Sequence, residues 1–139
     1  MINSFENCEL CPRKCHVNRL KGEYGFCQMG SMPKAALASI HHYEEPPISG
    51  INGSGTVFFS GCHLKCIFCQ NSDISNNGFG KEISIERLCD IFIEQQARGV
   101  HNINLVSATH FAPAVCEALK KAKNKGLNIP VVWNSSGYE

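Results

Sequence analysis

Thr56-Val57-Phe58-Phe59-Ser60-Gly61-Cys62-His63-Leu64-Lys65-Cys66-Ile67-Phe68-Cys69 is a short β-rich run that leads straight into three cysteines. Thr56 to Ser60 has the composition of a buried strand. Downstream, Ile85, Leu88, Cys89, Phe92 and Ile93 recur at helical spacing, with Ser84 placed as N-cap and Gly99 just past the end. Ile103 to Val106 reads as a second strand. Pro113 to Lys125 reads as a second helix, with proline in its first turn, lysines at its end and Gly126 after it. Ile129 to Trp133 reads as a third strand. The order strand–helix–strand–helix–strand implies parallel strands with crossover helices, an α/β architecture. In such sheets ligands sit at the carboxyl ends of the strands. That rule singles out Gly61 to Asn71, Ser107 to His110 and Asn134 to Gly137, all polar or cysteine-bearing.

Cys62, Cys66 and Cys69 are separated by three and then two residues. One loop with this spacing can wrap three corners of a cubane iron–sulfur cluster and leave the fourth iron without a protein ligand. The amino and carboxylate groups of a methionine moiety can chelate that open iron. Electron transfer into the sulfonium of S-adenosylmethionine then gives methionine and a 5′-deoxyadenosyl radical. Phe68 offers an apolar face for the adenine, and no catalytic residue is assigned beyond the cluster ligands. The bland alternatives are a zinc site or three ordinary buried thiols. Zinc sites usually pair two C-x2-C arms, which this spacing does not supply.

Upstream, residues 1–31 carry Cys8, Cys11, Cys15 and Cys27 among prolines and glycines, with no helical or strand period. A segment so poor in apolar residues is expected to need a metal to order it. Four thiolates suit a structural zinc ion or a second [4Fe-4S] cluster, and the sequence does not choose between them. Residues 32–55 read as short strands, from Lys34 to His42, and a turn-rich connector. Residues 56–139 form the third unit, with three strands and two helices.

Nine cysteines in 139 residues, with no apolar leader among Met1 to Leu10, suggest metal binding in a reducing cytoplasm. No apolar run approaches the roughly 18 residues of a membrane helix. A net charge of +1 gives no electrostatic case for nucleic acid.

Gly55 to Cys62, continuing through Cys69-Gln70-Asn71, resembles the radical SAM signature. It is most similar to the uncharacterised relatives of the pyruvate formate-lyase activating enzyme known as the PflX type. Cys8-Glu9-Leu10-Cys11-Pro12-Arg13-Lys14-Cys15, Glu45-Pro46-Pro47-Ile48-Ser49-Gly50 and Asn134-Ser135-Ser136-Gly137-Tyr138-Glu139 resemble the same branch. The resemblance implies the N-terminal half of a partial (β/α) radical SAM barrel behind a metal-bound cysteine-rich segment. It implies an oxidoreductase that cleaves S-adenosylmethionine reductively and abstracts hydrogen from a partner protein. A flavodoxin- or ferredoxin-like electron donor comes with it. Many relatives carry Gly-Gly-Glu where this chain has Ser107-Ala108-Thr109-His110, so contacts of Thr109 and His110 with S-adenosylmethionine are expected by position only. The family's barrel takes about six strands. A chain ending after its third is expected to be a fragment, a truncation or half of a split protein, completed by a C-terminal polypeptide or self-associating. Two rival readings are a non-catalytic remnant and a zinc- or iron-binding interaction module.

Among the remaining candidates, Asn71, Asn134, Ser135 and Ser136 could bind the ribose or methionine groups, or serve as turn residues. His110 stands either at the pocket or at a helix start facing solvent, and His63 either near a sulfide or in solvent. His41, His42, Glu44 and Glu45 read as structural rather than metal-binding, because adjacent strand residues face opposite ways. Cys89 and Cys116 read as small core residues. The basic run from Lys120 to Lys125 reads as a solvated helix end.

Overall fold

The computed structural model describes residues 2–138; Met1 and Glu139, which close the expected segments, lie outside the described residues. Five strands form one mixed sheet: β1 (Lys34–His41), β2 (Ser54–Phe59), β3 (Lys81–Glu82), β4 (Ile103–Val106) and β5 (Val131–Asn134), in the order β3-β1-β2-β4-β5. The helices are α1 (Pro46–Ser49), α2 (Ser72–Ser75), α3 (Ile85–Ala97) and α4 (Ala112–Asn124). β2, β4 and β5 run parallel, as the crossover pattern requires. β1 is antiparallel to both β2 and β3. The segment expected as a set of separate short strands therefore joins the main sheet. Residues 56 onward also hold more than three strands and two helices, because β3 and the one-turn α2 interrupt them. Neither is long enough to leave a periodic trace in sequence.

The parallel strands alternate as strands must. Val57, Phe59, Ile103 and Leu105 enter a core with Leu88, Cys89, Ile91 and Phe92 of α3 and Val115, Ala118 and Ala122 of α4. Cys116 is only half-buried, unlike Cys89. It lines an apolar groove of about 380 Å³ between α4 and β5, with Leu119, Leu127, Ile129 and Val131. The opposite set on the strands, Thr56, Phe58, Asn104, Val106, Val132 and Asn134, is mixed polar and apolar.

Ser84 caps α3 by accepting the Arg87 N–H at 3.0 Å. Lys121 and Lys125 are not merely solvated. They cross from α4 to Glu86 and Asp90 on α3, at 3.0 and 2.8 Å.

The cysteine-rich N-terminus has no core of its own, as expected, but it shares the main one. Cys27 and Met29 belong to the central cluster of buried residues. Phe5 is buried, and the turn that carries it (Ile2–Phe5) packs on α4.

Candidate functional site

β2 delivers the chain to the central cysteines through a constrained corner. The Ser60 N–H donates to the Lys34 carbonyl at 2.8 Å, and the Gly61 N–H donates to that of Ile74 at 2.9 Å. Gly61 has φ +77°, and a Cβ there would lie 2.6 Å from Met29 Cγ and 2.8 Å from the Cys27 carbonyl oxygen. Only glycine satisfies both demands.

Cys62, Cys66 and Cys69 follow on one loop, each half-buried and none in a disulfide. The Leu64 N–H donates to Cys62 Sγ at 3.4 Å, and the Ser75 hydroxyl donates to Cys69 Sγ at 3.3 Å. Ile67 and Phe68 project outward, Phe68 at 86 % exposure. Cys66, Phe68, Cys69, Gln70 and Asn71 line one shallow concavity. Beside it lies a polar cavity of about 410 Å³ lined by His41, Tyr43, Glu44, Phe58, Gln70, Asn71, Val106 and Asn134. Asn71 thus borders both, and Asn134 joins it from the end of β5. The sequence reading did not assign His41 and Glu44 to any site. They stand 3.7 Å apart on this cavity, and His41 also packs on Phe58.

Other candidates sit elsewhere. Ser135 accepts the Gly137 N–H at 2.9 Å, which is turn chemistry. His63 does not face solvent. It is buried, and its Nε2 is 2.8 Å from the Ser136 hydroxyl. Thr109 and His110 are both buried in a turn (Thr109–Phe111) ahead of α4. His110, at 1 % exposure, is therefore neither a solvent-facing helix start nor a cavity wall. Its Nε2 is 2.8 Å from the Ser60 carbonyl oxygen, so Nε2–H is the donor and Nδ1 is left buried without a partner. Burial pulls its pKa down to about 4, against the opposing pull of the Ser60 bond.

The sign for stability follows from proton linkage. Between about pH 6.5 and 4 the unfolded chain protonates this histidine and the folded one does not. Stability present above pH 6.5 should fall by on the order of 3 kcal/mol as pH drops towards 4. Urea titrations at pH 7 and pH 4.5 check this, and His110→Gln should flatten that part of the profile.

The N-terminal cysteines lie directly against the central loop. Arg13, between Cys11 and Cys15, donates from Nε to the His63 carbonyl at 2.9 Å. Its guanidinium lies 3.8 Å over the Phe26 ring, with the Lys65 ammonium at 5.2 Å. The N-terminal segment and the central loop therefore pack against each other.

Cys8, Cys11 and Cys27 are buried and Cys15 half-buried, again without disulfides. The Phe26 N–H donates to Cys15 Sγ at 3.4 Å, Arg19 Nη1 donates to Cys8 Sγ at 3.7 Å, and the Lys14 N–H donates to the Cys11 carbonyl at 3.1 Å. Lys14, His16 and Gln28 take left-handed φ values of 41°, 56° and 59° in these turns. Burial pushes the Cys11 and Cys27 thiols up.

Among the described residues, no three His, Cys, Asp or Glu side chains are drawn together as a metal-binding group. The thiols are unpaired and lie on short loops, with N–H and O–H donors on Cys15, Cys62 and Cys69, and thiolate sulfur is a donor that soft metals take. Among the described residues, no helix is long and apolar enough to cross a membrane.

The sequence profile described as the Radical SAM superfamily matches residues 56–139. A protein from Methanocaldococcus jannaschii, described only as uncharacterised, is 36% identical over 143 residues. That similarity covers 98% of this chain and 40% of the relative, so the chain spans less than half of that protein's length. No solved structure matches.

Proposed function

We propose, from the premise that this chain belongs to the radical SAM superfamily, that Cys62, Cys66 and Cys69 hold its [4Fe-4S] cluster beside a pocket for S-adenosylmethionine. The family supplies the cluster and the co-substrate; the assignment to these residues rests on the loop. One observation carries it: three unpaired thiols on a single loop at the end of a parallel strand, opening beside a polar cavity. Bound there, the reduced cluster would supply the electron that cleaves S-adenosylmethionine to methionine and a 5′-deoxyadenosyl radical.

The chain's own residues have narrower tasks. Asn71 and Asn134 present amide donors and acceptors to the polar groups of the co-substrate, from the cysteine loop and from the end of β5. Phe68 supplies an apolar surface next to Cys66 and Cys69. Thr109 and His110 do not line either concavity, and His110 acts by holding the corner at Ser60 in place. Ser60 and Gly61 fix the direction in which the loop leaves the sheet.

Cys8, Cys11, Cys15 and Cys27 form a second metal site on this reading, for zinc or another [4Fe-4S] cluster. Hydrogen abstraction from a partner protein, in the manner of the pyruvate formate-lyase activating enzyme, is the wider activity that the branch resemblance supports. The test is anaerobic reconstitution with iron and sulfide, followed by dithionite reduction. S-adenosylmethionine should alter the EPR signal of the reduced cluster. A protein that takes up zinc at both cysteine groups and no sulfide would show a metal-binding module instead.

A further inference from the structure

Arg19 is 2 % exposed, the largest fully buried side chain among the described residues. Its hydrogen bonds go to neutral carbonyls. Nε and Nη2 donate to Gly30, and Nη1 donates to His110 at 2.6 Å. The guanidinium is flanked by the Phe5 and Phe111 rings, at 4.6 and 5.5 Å. No Asp or Glu among the described residues makes an ion pair with it. A full positive charge is therefore buried with dipoles but without an anion, an arrangement that desolvation opposes strongly.

The thiol groups are what remains within reach. Nη1 donates to Cys8 Sγ at 3.7 Å. We infer that Arg19 is the internal counter-cation of an anionic metal–thiolate centre built by Cys8, Cys11, Cys15 and Cys27. The inference rests on the metal-binding reading of those cysteines and adds the charge that their centre must carry.

The charges close as follows. Four thiolates around a divalent zinc ion carry a net charge of about −2, and four thiolates on an oxidised [4Fe-4S] cluster carry the same. Either centre compensates the buried guanidinium. Four neutral thiols, or two disulfides, would leave it uncompensated. The donors at this group, the Phe26 N–H on Cys15 Sγ and the Arg19 guanidinium on Cys8 Sγ, suit sulfurs that carry negative charge. Arg19 is then a positioning residue with two ends. One faces the metal centre, and the other grips the His110 carbonyl beside the corner from which the central cysteine loop leaves β2.

The test uses zinc and the full chain. Zinc affinity is measured by chelator competition, together with the rise in Tm that zinc produces. The N-terminal site is defined as the zinc binding that Cys11→Ser removes. Arg19→Gln keeps hydrogen-bonding groups without charge, and Arg19→Met keeps apolar packing without charge. Both should weaken zinc binding at that site at least tenfold and shrink the zinc-induced rise in Tm. Arg19→Lys should stay within about threefold of the parent.

A side chain that only clamps carbonyls would lower Tm equally with and without zinc, leaving the zinc-induced rise unchanged. That result, or equal zinc affinity in the Gln and Lys variants, overturns the inference while the metal site stands. If one neutral variant fails to fold, the other decides. If Cys11→Ser removes no zinc, the metal reading itself is wrong, and the inference falls with it.

Discussion

Cys66→Ala should cost the reconstituted protein one cluster's worth of iron and sulfide and abolish the S-adenosylmethionine-induced change in its reduced EPR signal. Cys66 is the middle one of the three proposed ligands, and its carbonyl accepts the Cys69 N–H at 3.1 Å. Alanine keeps that backbone bond and removes only the thiol, so the substitution opens one corner of the cluster while the turn stays in place. A cluster tethered by two cysteines has no comparable hold, so the loss should be close to complete rather than graded. Cys62→Ala and Cys69→Ala should behave alike. Cys89→Ala is the contrasting control: that cysteine is fully buried in the core, so its loss should cost stability and spare iron content. Iron, sulfide and protein analysis under anaerobic conditions gives the answer. Retention of the co-substrate-dependent signal in Cys66→Ala would show that the assignment of these ligands is wrong.

Phe111→Ala should destabilise the fold by about 3–5 kcal/mol, the range for emptying an aromatic site in a packed core. Phe111 is wholly buried and sits where three parts of the chain meet. Its ring lies 6.0 Å from that of Phe59 in β2, 4.3 Å from that of His110, and beneath the Arg19 guanidinium. Loss of the ring therefore removes packing from the strand that carries the cysteine loop and one face of the stack around a buried charge. Equilibrium unfolding in urea, comparing midpoints at unchanged slope, measures the effect. Phe111→Leu should recover most of it, because it restores much of the lost volume.

The long elements were legible because their signals are local. Ser84 and Gly99 bracket α3, which runs from Ile85 to Ala97, and the Ile103–Val106 strand falls as read. The parallel order followed from connection lengths, and it is why Asn71 and Asn134 reach one cavity. What escaped the sequence depends on distant partners. The burial of His110 is set by the Ser60 carbonyl, fifty residues earlier, and nothing in Ser107-Ala108-Thr109-His110 announces it. Arg19 reads as one more basic residue in a polar segment; Phe5 and Phe111, which enclose it, are far apart in the chain. His41 and Glu44 read as structural because adjacent strand residues face opposite ways; they reach the cavity through the antiparallel attachment of β1 to β2, a tertiary choice that strand composition does not encode. β3 and the short helices lack the length for any period to show.

The bond from Arg19 to the His110 carbonyl spans 91 positions along the chain. A ribosome making about 5–20 residues per second therefore takes about 5–20 s to synthesise the second partner after the first. Throughout that interval Cys8, Cys11, Cys15 and Cys27 have neither Phe111 nor α4 to lie against. The segment that carries them is thus sealed only when these later-made parts arrive. Its thiols meet the cell's metals, oxidants and chaperones as part of a nascent chain, before the β-sheet that will shelter them exists.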